Sequence, residues 1–330
     1  MRISRRTALA RVASAFGIVA LAAAASARPD VAKAQDYPQR PVTIMVGFSA
    51  GGAADILARR LQGKLSEKLG QPVIVENRPG ATGNIANELV ANAEPDGYTL
   101  LLVATSLVYN VGLYPDFKFD PVNALQPVAK LATYPLYLVT GPRGPSSVAD
   151  IIASAKGSPE SINYATSGAG TSTHLAAEVF ALESGIKIEH IPYKGGGDAT
   201  TSVLSGETDI HFGGTAILPL VQDGRLKLVA VTSPERLAGF PDTPTVAESI
   251  PGYEFVSWNG LFAPKNTPSD IVAKLNAATN EVLKDPEIVA ALQAQDLTPA
   301  GGPPEELGDL VKAEIPKWLK VIEEAGISAN

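Results

Sequence analysis

Apolar and polar positions fall in blocks along the chain, and the period of the blocks keeps changing. Residues 42–46, Val-Thr-Ile-Met-Val, form a run rich in β-branched side chains, which predicts a buried strand. A glycine loop follows. Leu57, Leu61, Leu65 and Leu69 then recur at every fourth position on one helical face, with Arg59, Arg60, Lys64 and Lys68 mostly on the other. Gly70 and Pro72 stop that helix. Residues 73–75 predict a strand, 77–80 a turn, 83–93 a helix and 99–104 a strand. This β-α-β-α-β order is the half-unit of a doubly wound parallel sheet.

The pattern then restarts. Strands are expected over 136–140, 162–165, 188–191, 209–212 and 226–231, with helices over 148–156, 173–183 and 198–204. The tail over 269–325 reads as mostly helical, broken at Pro286 and at Gly301-Gly302-Pro303-Pro304. Segments 134–141 and 257–264 each lie between two such units and are read as crossovers. The expected fold is therefore α/β, with two Rossmann-like lobes joined by two crossover segments. Lobe 1 takes 35–137 and 259–330; lobe 2 takes 138–258.

Residues 1–34 stand outside this pattern. Arg2, Arg5, Arg6 and Arg11 precede an alanine-rich apolar run over 12–25 and then small residues, the plan of a secretory signal peptide. The run is too short and too rich in alanine for a good membrane span. The Arg5-Arg6 pair points to the twin-arginine route. Ala8 stands where that signal usually has a bulky apolar residue, which leaves Sec export open. Two small-x-small cleavage sites compete, Ala25-Ser26-Ala27 and Ala32-Lys33-Ala34. The second is preferred, because Asp36-Tyr37-Pro38 looks like the start of a mature chain. A periplasmic protein cleaved after Ala34 is the expectation.

Export changes the charge. Removing six basic residues and one acid takes the 27 basic and 34 acidic residues to 21 and 33, a formal net charge of −12. Such a chain is repelled by nucleic acid and by anionic membranes. Any anion must be bound locally. The chain has no cysteine, and a mature length of about 300 residues can bury its core without disulfides.

Each lobe carries the same device. In the first, a strand runs through Gly47 into Phe48-Ser49-Ala50-Gly51-Gly52-Ala53-Ala54-Asp55 and a helix; in the second, Ala165 leads into Thr166-Ser167-Gly168-Ala169-Gly170-Thr171-Ser172-Thr173 and a helix. A helix N-terminus offers unpaired N–H groups and partial positive charge, and glycines let a ligand approach the backbone. Two such termini facing each other can hold the two ends of a dicarboxylate without arginine. The competing reading is a pair of ordinary strand-to-helix turns capped by Ser, Thr and Asp.

Other constellations are weaker. Gly47-Phe48-Ser49-Ala50-Gly51 fits the nucleophile elbow of a serine hydrolase, but only about a dozen mature residues precede Ser49, where that fold needs several strands. His174, His190 and His211 match no metal-ligand spacing, and neither glycine loop fits a nucleotide fingerprint. No metal, cofactor or catalytic group is expected. Lys194 and Trp258 read as a solvated lysine and a core tryptophan before they read as ligand contacts.

The chain resembles the Bug (Bordetella uptake gene product) family, the substrate-binding receptors of tripartite tricarboxylate transporters. The matching stretches run in order through nearly the whole mature chain. They are Tyr37-Pro-Gln-Arg-Pro-Val42, Gly51-Gly-Ala-Ala-Asp55, Gly70-Gln-Pro-Val-Ile-Val-Glu-Asn-Arg-Pro-Gly80, Pro95-Asp-Gly-Tyr-Thr-Leu100, Ile162-Asn-Tyr-Ala-Thr-Ser-Gly168, Gly170-Thr-Ser-Thr-His-Leu-Ala176, His190-Ile-Pro-Tyr-Lys-Gly195, Pro241-Asp-Thr-Pro-Thr-Val-Ala-Glu248 and Gly260-Leu-Phe-Ala-Pro264. The resemblance implies a type II periplasmic-binding-protein fold that closes like a Venus flytrap. It implies a small carboxylate (di- or tricarboxylate, acidic amino acid or aromatic acid) held by Phe48, Ser49, Ala50, Gly51, Gly52, Ala53, Ala54 and Asp55. Facing contacts would come from Ser167, Gly168, Ala169, Gly170, Thr171 and His174, with Thr105 and Ser106 at the end of a first-lobe strand. The family's second-lobe acid falls on Asp209. The chain departs from the family pattern at Ala53 and Ala54, where a hydroxyl is common, and over 47–50, where a proline-containing loop is common. An integral-membrane permease is the implied partner and a monomer the default state. A periplasmic sensor or adaptor is the alternative, separable by a partner pull-down; hydrolysis through Ser49 is a distant third.

Overall fold

The structure is a computed structural model that describes residues 37–114, 119–158 and 161–327. The leader over 1–34 and both cleavage sites lie outside these residues.

The β-branched run becomes β1 (Val42–Val46), which lies between and parallel to β2 (Val73–Asn77) and β3 (Thr99–Ala104). The leucine stripe becomes the buried face of α1 (Ala53–Leu69), packed against these strands. Gly70 ends it in the left-handed conformation, φ 70°, with its N–H on the Ser66 carbonyl. Helix α2 (Asn84–Ala91) returns the chain to β3. Next comes α3 (Ser106–Leu113), which the periodicity did not announce.

After the short α4 (Pro121–Ala124) the chain runs through β4 (Leu125–Pro135), eleven residues that also escaped the sequence reading. Pro127, Lys130 and Pro135 hide the alternation a strand would show. Its partner is β10 (Val256–Pro264), antiparallel to both β3 and β4, and β11 (Thr298–Gly301) adds at the edge. The first sheet is thus mixed, in the order β11-β4-β10-β3-β1-β2.

The second sheet has the order β7-β6-β8-β5-β9. It is built from β5 (Tyr137–Thr140), β6 (Asn163–Thr166), β7 (Glu189–Pro192), β8 (Ile210–Gly213) and β9 (Lys227–Val231). Strands β7, β6 and β8 are parallel; β5 opposes β8 and β9. The helices between them are α5 (Val148–Gly157), α6 (Ser172–Ser184), α7 (Gly196–Ser205) and α8 (Leu218–Gln222). The tail forms α9 (Ser269–Leu283), α10 (Pro286–Gln293) and α11 (Pro304–Ala325).

The chain passes between the sheets twice, and more abruptly than expected, since both presumed crossovers are largely strand. β4 pairs in the first sheet through Pro135, and β5 joins the second from Tyr137. The return is complete at Val256, where β10 begins to pair. The buried Thr232 ties the two crossings together: its hydroxyl accepts the Leu136 N–H at 2.7 Å and donates to the Phe255 carbonyl at 2.7 Å. Beside them Trp318 of α11 packs on Tyr109 of α3 and on Phe255, with ring centroids 4.7 and 5.3 Å away. Helix α11 lies along α3 and β4 and reaches α6, so one buried apolar cluster runs beneath both sheets.

Candidate ligand-binding site

Strands β1, β3 and β6 each end in a turn to a helix, and the three turns meet. Between them lies a cavity of about 260 Å³. From the first sheet it is lined by Phe48, Gly52, Ala53 and Ala54 after β1, by Ala104 at the end of β3, and by Thr105 and Ser106 after it. From the second sheet come Ser167, Gly170, Thr171 and Ser172 after β6.

The loop after β1 is fixed by close packing and by one carboxylate. A side chain at Gly47 would meet the Gly83 backbone at 2.7 Å, so the two glycines let these turns touch. Asp55 is buried. Its Oδ2 accepts the Gly51 N–H at 2.8 Å, and both carboxylate oxygens lie 3.0 Å from Arg59 Nε. The Arg59 hydrogen bond outweighs burial and holds the Asp55 carboxyl below its usual range. Asn77 completes the brace, donating to the Phe48 carbonyl at 2.9 Å and accepting from Arg59. Asp55 is therefore occupied inside the loop. The N–H groups of Ala53 and Ala54 at the start of α1 meet no acceptor among the described residues, and both residues face the cavity.

The loop after β6 is braced by hydroxyls. Thr173 Oγ1 accepts the Ser167 N–H at 2.9 Å and lies within 3.0 Å of Ser167 Oγ and Thr171 Oγ1. Thr171 donates to the Gly168 carbonyl at 2.7 Å. These side chains face one another and leave the Ser172 and Thr173 N–H groups open at the start of α6. Gly170 has φ 72°, and a β-carbon there would meet Leu113 Cδ1 at 2.7 Å, so this loop rests directly on α3.

The structure sorts the expected site residues. Phe48, Gly52, Ala53, Ala54, Thr105, Ser106, Ser167, Gly170 and Thr171 line the cavity. Ser49, Ala50, Gly51, Gly168 and Ala169 belong to the same loops without lining it. His174 is buried one turn behind, its Nδ1 accepting the Gly170 N–H at 3.0 Å. Asp209 stands elsewhere. It precedes β8 and accepts the Asn163 N–H at 2.9 Å, at the opposite end of β6 from the turn that reaches the cavity. The three histidines make their contacts around β6 and α6, and none bonds to the exposed Ser49.

Further lining residues were not foreseen. Thr82 comes from the turn after β2, with Ala81 and Thr82 both left-handed (φ 45° and 52°). Its hydroxyl lies 2.9 Å from Tyr114 Oη, and Asn110 donates to its carbonyl at 3.0 Å. Tyr109, Tyr134, Ser257 and Asn259 close the cavity from α3, β4 and β10. The hydroxyls of Ser106, Tyr109 and Ser257 make no well-formed hydrogen bond among the described residues, although Ser257 stands beside the Tyr109 and Tyr134 hydroxyls, and all three residues are more than nine-tenths buried. Burial pushes the Tyr109 and Tyr134 hydroxyls above the usual tyrosine range, so they remain neutral donors. Among the described residues, no charged side chain lines the cavity.

Residues 57–327 match the family described as tripartite tricarboxylate transporter family receptor. The chain is 37% identical over 326 residues to protein BugT of Bordetella pertussis, covering 96% of this chain and 98% of that protein. Its fold is shared with Rpa4515 of R. palustris, solved with adipate (35% identity, TM-score 0.78, 88% of this chain and 99% of the other). It is shared too with MatC of Rhodopseudomonas palustris, solved with bound malate (30% identity, TM-score 0.73, 87% and 100%). With the family matched over most of its length, the chain belongs to the solute-binding receptors of the tripartite tricarboxylate transporter family.

Proposed function

We propose that this chain captures a small carboxylate in the cavity between its two sheets and hands it to an integral-membrane permease, without chemical turnover. The supporting observation is the meeting of three helix N-termini, from α1, α3 and α6, around one cavity lined by no charged side chain among the described residues. An anion there gains from oriented N–H groups and partial positive charge alone. The relatives solved with adipate and malate hold ligands of this chemistry. The buried hydroxyls of Ser106, Tyr109 and Ser257 are available for the ligand's remaining polar atoms.

The lobes in this reading follow the two sheets, 35–136 with 256–330, and 137–255, because Tyr137 pairs in the second sheet and Val256 to Trp258 pair in the first. They hinge at the two crossings tied by Thr232, and a ligand that touches both the α1 and α6 termini favours the closed form because only that form gives it both sets of contacts. The receptor is exported, cleaved after Ala34 and monomeric.

Thermal denaturation of the chain from Gln35, with adipate, malate, acidic amino acids and aromatic acids in turn, tests the reading. At one hundred times its dissociation constant a ligand adds about 2.7 kcal/mol, a rise of several degrees. A hit from the panel that co-purifies the receptor with a membrane permease supports the assignment. Silence across the panel removes the carboxylate reading.

A further inference from the structure

We propose that His174 and His190 are positioning residues: as a stacked neutral pair they hold the loop over 167–171 in the shape that presents its backbone to the ligand, and a proton taken up by the pair lets that loop go. The inference rests on the reading of this loop as one wall of the ligand site.

The two rings lie face to face, 3.8 Å between centroids and 12° apart. Tyr164 of β6 stacks on the far side of His190 at 5.0 Å. Each imidazole serves one part of the loop. Nδ1 of His174 accepts the Gly170 N–H at 3.0 Å. A ring nitrogen that accepts carries no proton, so the His174 proton sits on Nε2, which faces Glu178 Oε1 at 3.5 Å. Nε2 of His190 lies 2.7 Å from Thr166 Oγ1, and that hydroxyl oxygen accepts the Gly168 N–H at 3.2 Å. The two glycines that shape the loop are thus both tied, one directly and one through Thr166, to the same pair of rings.

The titratable groups facing the pair are Glu178 from α6 and Tyr164 from β6. Tyr164 donates its hydroxyl to Glu178 and keeps the carboxylate beneath His174. Burial would raise the Glu178 carboxyl, but the hydrogen bonds from His174 and Tyr164 bring it below its usual range, so it stays an anion. Burial, and then the neighbouring ring, hold His190 down to about 4. Two charged rings this close repel, so the folded pair accommodates one proton at most. That proton on His174 Nδ1 would set one N–H against another at Gly170. Because Gly170 is free to leave its left-handed conformation, the loop can respond without unfolding α6.

Amide exchange measured by NMR on the ligand-free protein tests this. The protection of the Gly170 amide falls by about tenfold or more as pH is lowered from neutral toward 4, the value to which His190 is held down, while amides within α6 keep theirs. His174→Asn, whose carboxamide oxygen can stand where Nδ1 stands, restores the protection and flattens the pH profile. His174→Leu loses it at every pH. Should the leucine variant fail to fold, the wild-type profile and the ¹⁵N signature of the His174 ring still decide. A flat Gly170 profile, or a ring protonated on Nδ1 at neutral pH, overturns the proposal. No ligand is added, so the outcome stands apart from the carboxylate panel. Adipate, if the panel shows it to bind, then loses affinity along the same pH profile in the wild type and not in His174→Asn.

Discussion

Asp55 shows how a residue can be legible in position and misleading in role. Its place in the first turn of α1, after a glycine loop, marks it as part of a site. The structure turns its carboxylate inward, onto Gly51 and Arg59, where it sets the shape of the loop. Asp55→Ala removes a charge-assisted brace and leaves Gly51 N–H without its acceptor. It should cost about 2–3 kcal/mol in urea denaturation. Any carboxylate that binds should weaken in parallel; unchanged stability would mean that the loop holds its shape without this carboxylate. Thr82 is the opposite case. A β-branched residue at φ 52° carries strain of about 1–3 kcal/mol, tolerated because Tyr114 and Asn110 grip it. Nothing in a single sequence marks such a conformation, since the residue is neither Gly nor Asn.

At the scale of the element, the repeated unit is strand, glycine turn, helix. Its local chemistry can be read directly: β-branched runs, leucine stripes and glycines before Ser or Thr each have a short-range cause. Which glycines matter cannot be read this way. Gly170 and Gly197 both stand near a helix start, yet only Gly170 has a positive φ and a neighbour, Leu113, in the path of a side chain. Gly170→Val should lose about 1–3 kcal/mol from overpacking and backbone strain together, and should abolish ligand binding. Gly197→Ala, inside α7 with open space around it, should gain about 0.5–1 kcal/mol and leave binding intact. Melting temperatures and ligand titrations of the two variants check both halves; equal behaviour would show that the α3 contact does not shape the loop.

For the molecule as a whole, buried histidine sets the response to acid. His190 is held near 4 and His211 is also lowered, in both cases chiefly by burial. The unfolded chain, with histidines near 6.5, binds protons that the folded one refuses. Stability therefore rises with pH across this window: it should be full above about 6.5 and fall progressively toward pH 4. Urea midpoints across that interval measure it, and a midpoint constant from pH 7 to 4.5 would contradict the buried, neutral state of these rings. Core packing extends beneath both sheets through Trp318, Tyr109 and Phe255, so this loss should appear as one transition shared by both.

The sequence alone determined the α/β alternation, the two glycine turns and the family, because each depends on residues near one another in the chain. It did not reveal β4, whose prolines and lysine mask the strand pattern, nor that β10 is a strand of the first sheet, between β4 and β3, where a crossover was expected. Only the tertiary structure brought Tyr134 and Ser257, 123 residues apart and paired across β4 and β10, to the wall of one cavity. It alone removed Asp209 from that cavity and set His174 against His190. Sheet order decides such neighbours, and sheet order is settled by long-range pairing and burial that no local pattern encodes.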